Sequence, residues 1–314
     1  MDVVRIDFMK TFLEVVKRGS LKKASESLGT SISTISFQIK SLEDFYGVKL
    51  FKRNVNGMEL TEEGRIVLKN IEYILGSIEE TKRLLLNLRE KKISLASGMV
   101  GIDVVFSVKT LLKAKYPELE IKVELKGAHD CVRDVIDGKV DFAIVGDINE
   151  ETLEENSLYI TELGSDLLVL IVPTHHPLAK KSVVTLEDVL KEPLIMLNEN
   201  YGITTSTIKA LKRSGVNPEN LNVAYVVNDF YSKINAVSSG LGVAITSFIA
   251  ACKACEVGLI KIRKIMDFDG ERKIYFIASK LAMESDRLRE YADFIIRNCR
   301  KFFNDMAVIC SGLT

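Results

Sequence analysis

The chain has 314 residues, of which 47% are hydrophobic and 27% are charged. This length suits about two domains at roughly 100–200 residues each, and the apolar fraction excludes a mainly disordered protein. The 43 basic and 43 acidic side chains cancel, so the overall charge gives no sign of a nucleic-acid partner. The basic excess is local, because residues 17–53 hold eight Lys or Arg against three Asp or Glu.

The five cysteines and the lack of an apolar N-terminal leader favour a reducing compartment, and we expect a cytoplasmic protein. The longest uncharged stretch, residues 234–252, has 19 residues and is long enough to be tested as a membrane span. It contains three serines, a threonine, an asparagine and two glycines. We therefore interpret it as helix, tight turn, strand and helix start within a soluble core.

The first ninety residues carry helical periodicity. A first helix is predicted by an apolar stripe at i, i+4, i+7 and i+8, formed by Phe8, Phe12, Val15 and Val16. A short second helix ends at Gly29, and Ser31 is placed to cap a third. In the third helix the buried face is predicted to be Ile35, Ile39 and Leu42, with Ser33, Phe37 and Lys40 pointing outward. Two short helices with such an outward face match a helix-turn-helix DNA-binding motif.

A two-stranded wing is predicted within residues 48–60, around a turn at 54–57. A long helix then runs from Glu62 to Arg89. Its apolar residues alternate steps of four and three, as in a coiled coil: Val67, Ile71, Ile74, Ile78, Thr81, Leu85 and Leu88. Such a stripe needs a partner, which is either a second copy of the chain or this chain's own C-terminal domain.

From residue 93 onward, strand-like runs alternate with helical stretches. The runs are 93–96, 120–125, 142–145, 167–172, 194–197, 222–227, 242–246 and 273–278. This alternation favours parallel α/β sheets with crossover helices. About 220 residues exceed one compact sheet, so we expect two lobes with a cleft between them.

Residues 19–53 carry a specific motif. They read GSLKKASESLGTSISTISFQIKSLEDFYGVKLFKR, and weaker motifs follow in order: LTEEG at 60–64, YPEL at 116–119, DGKVDFAIVG at 137–146, HPLA at 176–179 and SGLGVAI at 239–245. The chain resembles the LysR-type transcriptional regulators along its whole length. The resemblance implies an all-α winged helix-turn-helix at 1–61, a linker helix at 62–90 that forms dimers or tetramers, and an α/β effector domain at 91–314. That domain would resemble periplasmic binding proteins, with lobe I at about 91–164 and 266–314 and lobe II at about 165–265.

The expected contacts with double-stranded DNA come from the third helix and the wing. Ser31, Ser33, Thr34 and Ser36 are suited to base edges or phosphates, and Gln38 and Lys40 are better placed for phosphates. Arg53 resembles the family's wing residue, which approaches the minor groove or its phosphates. The family usually has Gln at the position of Ile32 and a basic residue at that of Phe37. We predict that Phe37 contacts a thymine methyl group; alternatively it folds over the neighbouring helix or wing.

A small-molecule effector is expected between the lobes, and no cofactor is expected. The turns at 96–101 and 200–205 are predicted to precede helices, and the predicted contacts there are Ser97, Gly98, Met99, Thr204 and Thr205. Two facing helix starts favour a polar or anionic ligand. The family's arginine near the second turn is missing, which weakens the case for a strongly anionic one. The family layout adds His129, Gly146, Phe230 and Thr246.

The other motifs in the sequence do not predict a catalytic or metal site. Cys252 and Cys255 form a CxxC but lack partners for a zinc site, so we interpret them as helix residues; a redox role with Cys131 stays open. Residues 240–242 are interpreted as a turn into a strand, and residues 267–270 as a hairpin turn. We therefore predict an effector-controlled DNA-binding regulator and not an enzyme. The alternative is a small-molecule sensing module whose N-terminal helices serve only protein assembly.

Overall fold

The computed structural model describes residues 5–54, 57–98, 102–146, 148, 152, 156–199 and 201–311. The chain divides into two compact units. The first comprises Met1–Leu85 with Ile136–Lys139, and the second comprises Leu86–Val135 with Val140–Thr314.

The first unit contains the predicted helices and hairpin in the predicted order. They are α1 (Ile6–Arg18), α2 (Leu21–Leu28), α3 (Ile32–Tyr46), β1 (Phe51–Asn54), β2 (Gly57–Leu60) and the start of α4 (Glu62–Glu90). The strands β1 and β2 pair antiparallel as a wing. Each of the first three helices ends at a left-handed glycine, at Gly19, Gly29 and Gly47. A glycine adopts this conformation without the steric cost that a Cβ brings.

The wing is tied to the helices by close backbone contacts. The amide of Met58 donates to the carbonyl of Gly19 at 2.9 Å, and a Cβ on Gly57 would lie 2.4 Å from that same oxygen. At the other end of the wing, Thr61 caps α4: its hydroxyl accepts from the Gly64 amide at 2.9 Å and donates to the Lys49 carbonyl at 2.7 Å. These contacts fix the wing against the helix-turn-helix.

The core of this unit comes from α1, α2, α3, the wing and the start of α4. Its buried members are Phe8, Phe12, Val15, Ala24, Ile35, Ile39, Leu42, Leu50, Phe51, Val67, Ile71 and Leu75. Further along α4, the residues of the predicted coiled-coil stripe are less buried. Ile74 and Ile78 are half-buried, whereas Thr81 and Leu85 are exposed; the side chain of Leu88 lies outside the described residues.

The second unit is built on a seven-stranded mixed sheet. One part contains β3 (Lys92–Ser97), β4 (Glu120–Leu125), β5 (Phe142–Gly146), β6 (Leu158–Val172) and β11 (Glu271–Ser279), in the spatial order β4-β3-β5-β11-β6. The pairs β3–β4 and β3–β5 are parallel, whereas β11 is antiparallel to both β5 and β6. The helices of this part are α5 (Ile102–Lys115), α6 (Ala128–Ile136), α12 (Lys280–Glu284) and α13 (Asp286–Ser311).

The long strand β6 carries the chain into the other part of this unit. Its second half pairs antiparallel with β9 (Ala244–Ser247) and β10 (Lys261–Arg263), and β7 (Leu194–Leu197) pairs in parallel with β8 (Val223–Val227). The helices here are α7 (Pro177–Lys180), α8 (Leu186–Leu190), α9 (Gly202–Arg213), α10 (Phe230–Ser238) and α11 (Phe248–Glu256), with a 3-10 turn at Pro218–Asn220. We call the two parts the first and second lobes.

The expectation of parallel sheets is confirmed for β3 with β4 and β5 and for β7 with β8, and it is wrong for β6 and β11, which run antiparallel to their neighbours. A second expectation was wrong. Residues 267–270 do not form a hairpin turn, because β10, which precedes them, pairs with β6 and not with β11. The interpretation of residues 234–252 is confirmed, since they contain parts of α10, β9 and α11. Among the described helices, none has the length and apolarity needed to cross a membrane.

Candidate DNA-binding surface and interlobe cavity

The helix α3 has the two faces that its sequence predicts. Ile35, Ile39 and Leu42 are buried in the core of the first unit. The predicted DNA contacts on the opposite face are exposed: Ser31, Ile32, Ser33, Thr34, Ser36, Phe37 and Lys40. Neighbouring Lys22 and Lys23, at the start of α2, are exposed as well. Within the first unit, this face is therefore accessible to a large ligand.

Three hydroxyl groups cluster where α3 begins. The Ser31 hydroxyl accepts from the Thr34 amide at 3.1 Å, which caps the helix as predicted. The same oxygen lies 2.7 Å from the Ser33 hydroxyl and 2.8 Å from that of Thr34. A helix start with clustered hydroxyls presents donors and acceptors of the kind that base edges and phosphates bind.

Phe37 contacts a neighbouring helix, which is one of the two alternatives that the sequence left open, and it stays largely exposed. Its ring contacts Phe8 of α1 edge to face, with ring centroids 6.2 Å apart. Even so, 63% of Phe37 remains exposed. The contact orients the ring without removing it from the outward face of α3.

The remaining predicted DNA contacts are positioned differently. Gln38 is half-buried, and its side-chain carbonyl accepts a hydrogen bond from the Thr11 hydroxyl of α1 at 2.6 Å. Arg53 lies in β1 opposite Met58, and its side chain lies outside the described residues. The base of the wing is held by Glu43, whose buried carboxylate accepts from the Leu50 amide at 3.0 Å and from the Lys49 ammonium at 2.6 Å.

A cavity of about 420 Å³ lies between the two lobes of the second unit. The first lobe contributes Gly98, Leu125, Lys126, Gly127, Ala128, Asp130, Gly146 and Arg272, and the second contributes Asn198, Tyr201, Gly202 and Ile203. Its volume lies within the range of small-molecule sites, roughly 300–1,000 Å³. A smaller cavity of about 110 Å³ shares Ile203 and is lined by Phe230 and Thr246.

Only some of the residues predicted to contact the effector line a cavity. Gly98 and Gly146 line the larger cavity, and Phe230 and Thr246 line the smaller one. His129 stands in α6 between two lining residues and is not itself in the wall. Thr205 is exposed at the start of α9, and Met99 lies outside the described residues.

Two predicted hydroxyls are directed at backbone carbonyls. Ser97 is fully buried, and its hydroxyl donates to the Gly98 carbonyl at 3.0 Å and lies 3.2 Å from that of Ile144. Thr204 is buried, and its hydroxyl donates to the Leu197 carbonyl at 3.0 Å. Thr246 differs, because its buried hydroxyl has no hydrogen-bond partner among the described residues. A ligand in the smaller cavity can supply that partner.

Arg272 and Asp166 were not found by sequence reasoning. They face each other across the β11–β6 pair, and both are buried. Arg272 Nε lies 3.9 Å from Asp166 Oδ2, and Asp166 Oδ1 accepts from the Ile249 amide at the start of α11 at 3.3 Å. Burial raises the pKa of the Asp166 carboxyl, while the Arg272 charge opposes this rise. The sequence offered little sign of them, because each lies one residue before a predicted strand run, 167–172 for Asp166 and 273–278 for Arg272.

Lys233 was also missed. It is buried in the second lobe, where its ammonium donates to the Ile245 carbonyl at 2.8 Å. Burial lowers the pKa of Lys233 to about 7. The residue lies in α10, one turn beyond Phe230, and nothing in the local pattern distinguishes it from a solvated lysine.

Two of the cysteines discussed above lie where burial disfavours the thiolate. Cys252 and Cys255 both lie inside α11, as expected for helix residues, and Cys131 is buried in α6. Burial raises the pKa of Cys252 and of Cys131 to about 12, which disfavours the thiolate. The described residues contain no group of three or more side chains suited to hold a metal ion.

An exposed recognition helix braced by a wing, together with a two-lobed α/β unit enclosing a cavity, defines a ligand-responsive DNA-binding protein. Comparison with known families agrees. Residues 6–65 match the model of the bacterial regulatory helix-turn-helix proteins of the lysR family, and residues 96–300 match the LysR substrate binding domain. The chain belongs to the LysR family of transcriptional regulators, with a helix-turn-helix DNA-binding domain and an effector-binding domain. Members of this family are in general regulators without enzymatic activity.

Similar proteins cover most of the chain. An uncharacterised HTH-type transcriptional regulator of Methanocaldococcus jannaschii is 33% identical, over 93% of this chain and 99% of its own length. Among solved structures, the Corynebacterium glutamicum OxyR C206 mutant superposes with a TM-score of 0.60 at 16% identity, covering 99% of this chain and 96% of its own. The effector binding domain of QuiR in complex with shikimate superposes with a TM-score of 0.57 at 20% identity, covering 68% of this chain and 98% of its own. At identities this low, the comparison shows only that this chain shares the fold of the two solved structures.

Proposed function

We propose that α3 enters the major groove of double-stranded DNA and reads it with its exposed face. The observation that carries this proposal is the division of α3 into a buried apolar face and an accessible polar and aromatic face. The base-reading residues are Ser31, Ile32, Ser33, Thr34, Ser36 and Phe37. Phe37 supplies an apolar surface for a thymine methyl group, and the hydroxyls supply short hydrogen bonds.

Phosphate contacts position this helix on the duplex. We assign them to Lys40 on α3, to Arg53 on the wing, and to the amide nitrogen of Gln38, whose carbonyl is engaged by Thr11. Such contacts raise affinity for every sequence and make binding depend on salt. We take the DNA-binding domain to span residues 1–61, because the cap at Thr61 begins α4 directly after β2.

The linker helix, residues 62–90, is proposed to join two copies of the chain. In the single chain, α4 exposes the large apolar side chains Ile66, Tyr73, Leu85 and Leu86. Exposed apolar groups on a long helix need a partner surface, and a second copy of the same helix offers one. A homodimer, or a homotetramer made from two such dimers, would present two copies of α3 to the two halves of an operator.

The effector domain, residues 91–314, is proposed to bind a polar or anionic small molecule between its lobes, where Gly98, Gly146 and the start of α9 meet. The fold neighbour QuiR, whose domain was solved with shikimate, supports a small organic ligand in such a domain. Binding changes DNA affinity or bending only if the ligand has different affinities for two arrangements of the protein. We propose that this activity takes place in the cytoplasm.

We infer that the protein acts by binding alone and is not an enzyme. Among the described residues that line the larger cavity, none is the Ser, Thr, Cys or His of a nucleophilic or acid–base pair. Cys252 and Cys255 lie in a helix, and burial raises the pKa of the Cys252 thiol to about 12.

A gel shift with the DNA upstream of the protein's own gene tests the proposal. We expect a discrete complex whose affinity falls steeply with salt and survives excess unrelated DNA. Lys40→Gln should weaken both specific and unrelated binding, whereas Phe37→Ala should weaken only the specific complex. Absence of a specific complex at every salt concentration, with and without a cell-extract metabolite fraction, would refute the assignment of α3 as a reader.

A further inference from the structure

An ion pair joins the two lobes of the second unit. Asp103 lies in the first turn of α5 in the first lobe, and Lys253 lies in the last turn of α11 in the second lobe. The Lys253 ammonium donates a hydrogen bond to the Asp103 carboxylate. Because the two residues belong to different lobes, this contact exists only while the lobes lie together.

Each partner lies where its own helix stabilises its charge. The start of a helix carries a partial positive charge and favours Asp103, and the end of a helix carries a partial negative charge and favours Lys253. The hydrogen bond to Asp103 also raises the pKa of Lys253. Lys253 therefore stays charged at neutral pH and available for the pair.

The pair lies at the edge of the smaller interlobe cavity. Asp103 of the first lobe lines this cavity together with Thr246 and Ala250 of the second lobe. Ala250 and Lys253 are three residues apart in α11, so they are neighbours on one face of that helix. The Lys253 side chain is 77% exposed, whereas that of Asp103 is 27% exposed. From these positions we place the pair on the solvent side of the cavity.

The two ends of α11 are attached differently. At its start, the Ile249 amide donates to the carboxylate of Asp166 at 3.3 Å, and Asp166 is buried in β6, the strand that connects the lobes. At its end, the helix reaches the first lobe through the exposed pair of Lys253 with Asp103. Exposed ion pairs are weak and are screened by salt. The contact at the end of α11 can therefore break without unfolding either lobe.

We propose that Asp103 and Lys253 form a latch that holds the two lobes together beside the smaller cavity and opens when a ligand enters or leaves. In the ligand-free protein the closed latch favours the arrangement in which the lobes meet, and its loss shifts the population toward an open arrangement. This inference rests on the proposed binding of a small molecule between the lobes. It adds the contact that controls access to that site.

Amide hydrogen exchange of the full-length protein, without any ligand, tests the latch. Exchange is measured in two segments that border the smaller cavity, 102–108 at the start of α5 and 244–252 in β9 and α11. Each variant is judged on the lobe that it does not alter, because a change of charge also affects its own helix. Lys253→Gln should raise the exchange rate of 102–108, and Asp103→Asn should raise that of 244–252, by about two- to fivefold.

Further variants separate the pair from its two members. Because both single substitutions break the same contact, the double variant Asp103→Asn with Lys253→Gln should exchange no faster than the single variants. Lys253→Arg keeps the charge and should exchange like the parent protein. The parent protein at about 1 M salt, where the Debye length is about 3 Å, should exchange like Lys253→Gln. The matched control Lys191→Gln removes an exposed pair with Glu187, which spans 2.7 Å within the second lobe, and should leave both segments unchanged.

Thermal unfolding of each variant shows that it is folded, and the exposure of Lys253 keeps Lys253→Gln usable if Asp103→Asn fails to fold. The latch is refuted if neither single variant speeds exchange on the opposite lobe, if the double variant adds the two effects, or if Lys191→Gln has the same effect. A parallel gel shift with the upstream DNA keeps this result distinct from the proposed function. A parent protein that binds this DNA specifically, while the variants exchange at the parental rate, would retain that function and refute only the latch.

Discussion

Replacing Phe37 with alanine should separate DNA recognition from folding. Phe37 is 63% exposed, and its main described contact is the edge-to-face ring pair with Phe8. Loss of such a pair costs about 0.5–1.5 kcal/mol, so the free energy of unfolding should fall by only about 1 kcal/mol. Losing recognition of one base pair in a specific site costs roughly 1–3 kcal/mol, which corresponds to about a 5- to 150-fold loss of specific affinity.

A matched control lies on the same helix. Phe45 is 45% exposed and forms an edge-to-face pair with Tyr46 at 5.0 Å, but it lies eight residues later, about 12 Å along α3. Phe45→Ala should therefore cost similar stability without reducing specific affinity. Fluorescence anisotropy with the upstream DNA and with scrambled DNA measures affinity, and urea denaturation measures the free energy of unfolding.

Two results would contradict the reasoning. Equal losses of specific affinity in Phe37→Ala and Phe45→Ala would mean that the first half of α3 does not read bases. A loss of several kcal/mol in the free energy of unfolding of Phe37→Ala would mean that the ring belongs to the core and not to the surface.

Three further predictions concern charge, protonation and close packing. Lys40→Gln should lower the slope of log affinity against log salt by about 0.9, as expected for one lost phosphate contact; an unchanged slope would place Lys40 in solvent. Burial lowers the pKa of Lys233 to about 7 in the folded protein. Between pH 7 and about 10, Lys233 therefore carries a proton in the unfolded chain but not in the folded protein. The free energy of unfolding should then rise over this range by up to about 1.4 kcal/mol per pH unit. Lys233→Met should remove this rise in urea denaturation, and an identical pH profile in the variant would disprove it. Gly64→Ala places a Cβ 2.1 Å from the Leu50 carbonyl oxygen and should lower the free energy of unfolding, measured by urea denaturation, by about 1–3 kcal/mol. Gly202 has open space around it, so Gly202→Ala should leave the urea midpoint unchanged.

The fold of the DNA-binding unit could be predicted because its helices depend on residues that lie close together in the sequence. The spacing of Ile35, Ile39 and Leu42 sets the buried face of α3, and Ser31 caps the helix with an amide only three residues away. Gly47 ends it in the left-handed conformation. Each of these relations spans one or two helical turns, so the order of residues alone carries them.

The interlobe cavity was only partly predictable. Gly98 and the start of α9 follow strands, and the turn after a strand is a local feature. The directions of the side chains in those turns are not local. Ser97 and Thr204 direct their hydroxyls at the Ile144 or Gly98 carbonyls and at the Leu197 carbonyl, and only the tertiary positions of those carbonyls decide this.

Arg272 and Asp166 show the clearest division between sequence and tertiary structure. The sequence by itself determined the helices and wing of the first unit, most strands of the second, which face of α3 is buried, and to which family the motifs belong. It did not give β10 or the first half of β6. Only the folded chain decided that β11 runs antiparallel to β6 with Arg272 opposite Asp166, and that Gly146 leaves space for the guanidinium. Strand register depends on pairing between segments about a hundred residues apart, and a shift of one residue would point the arginine to the other face of the sheet.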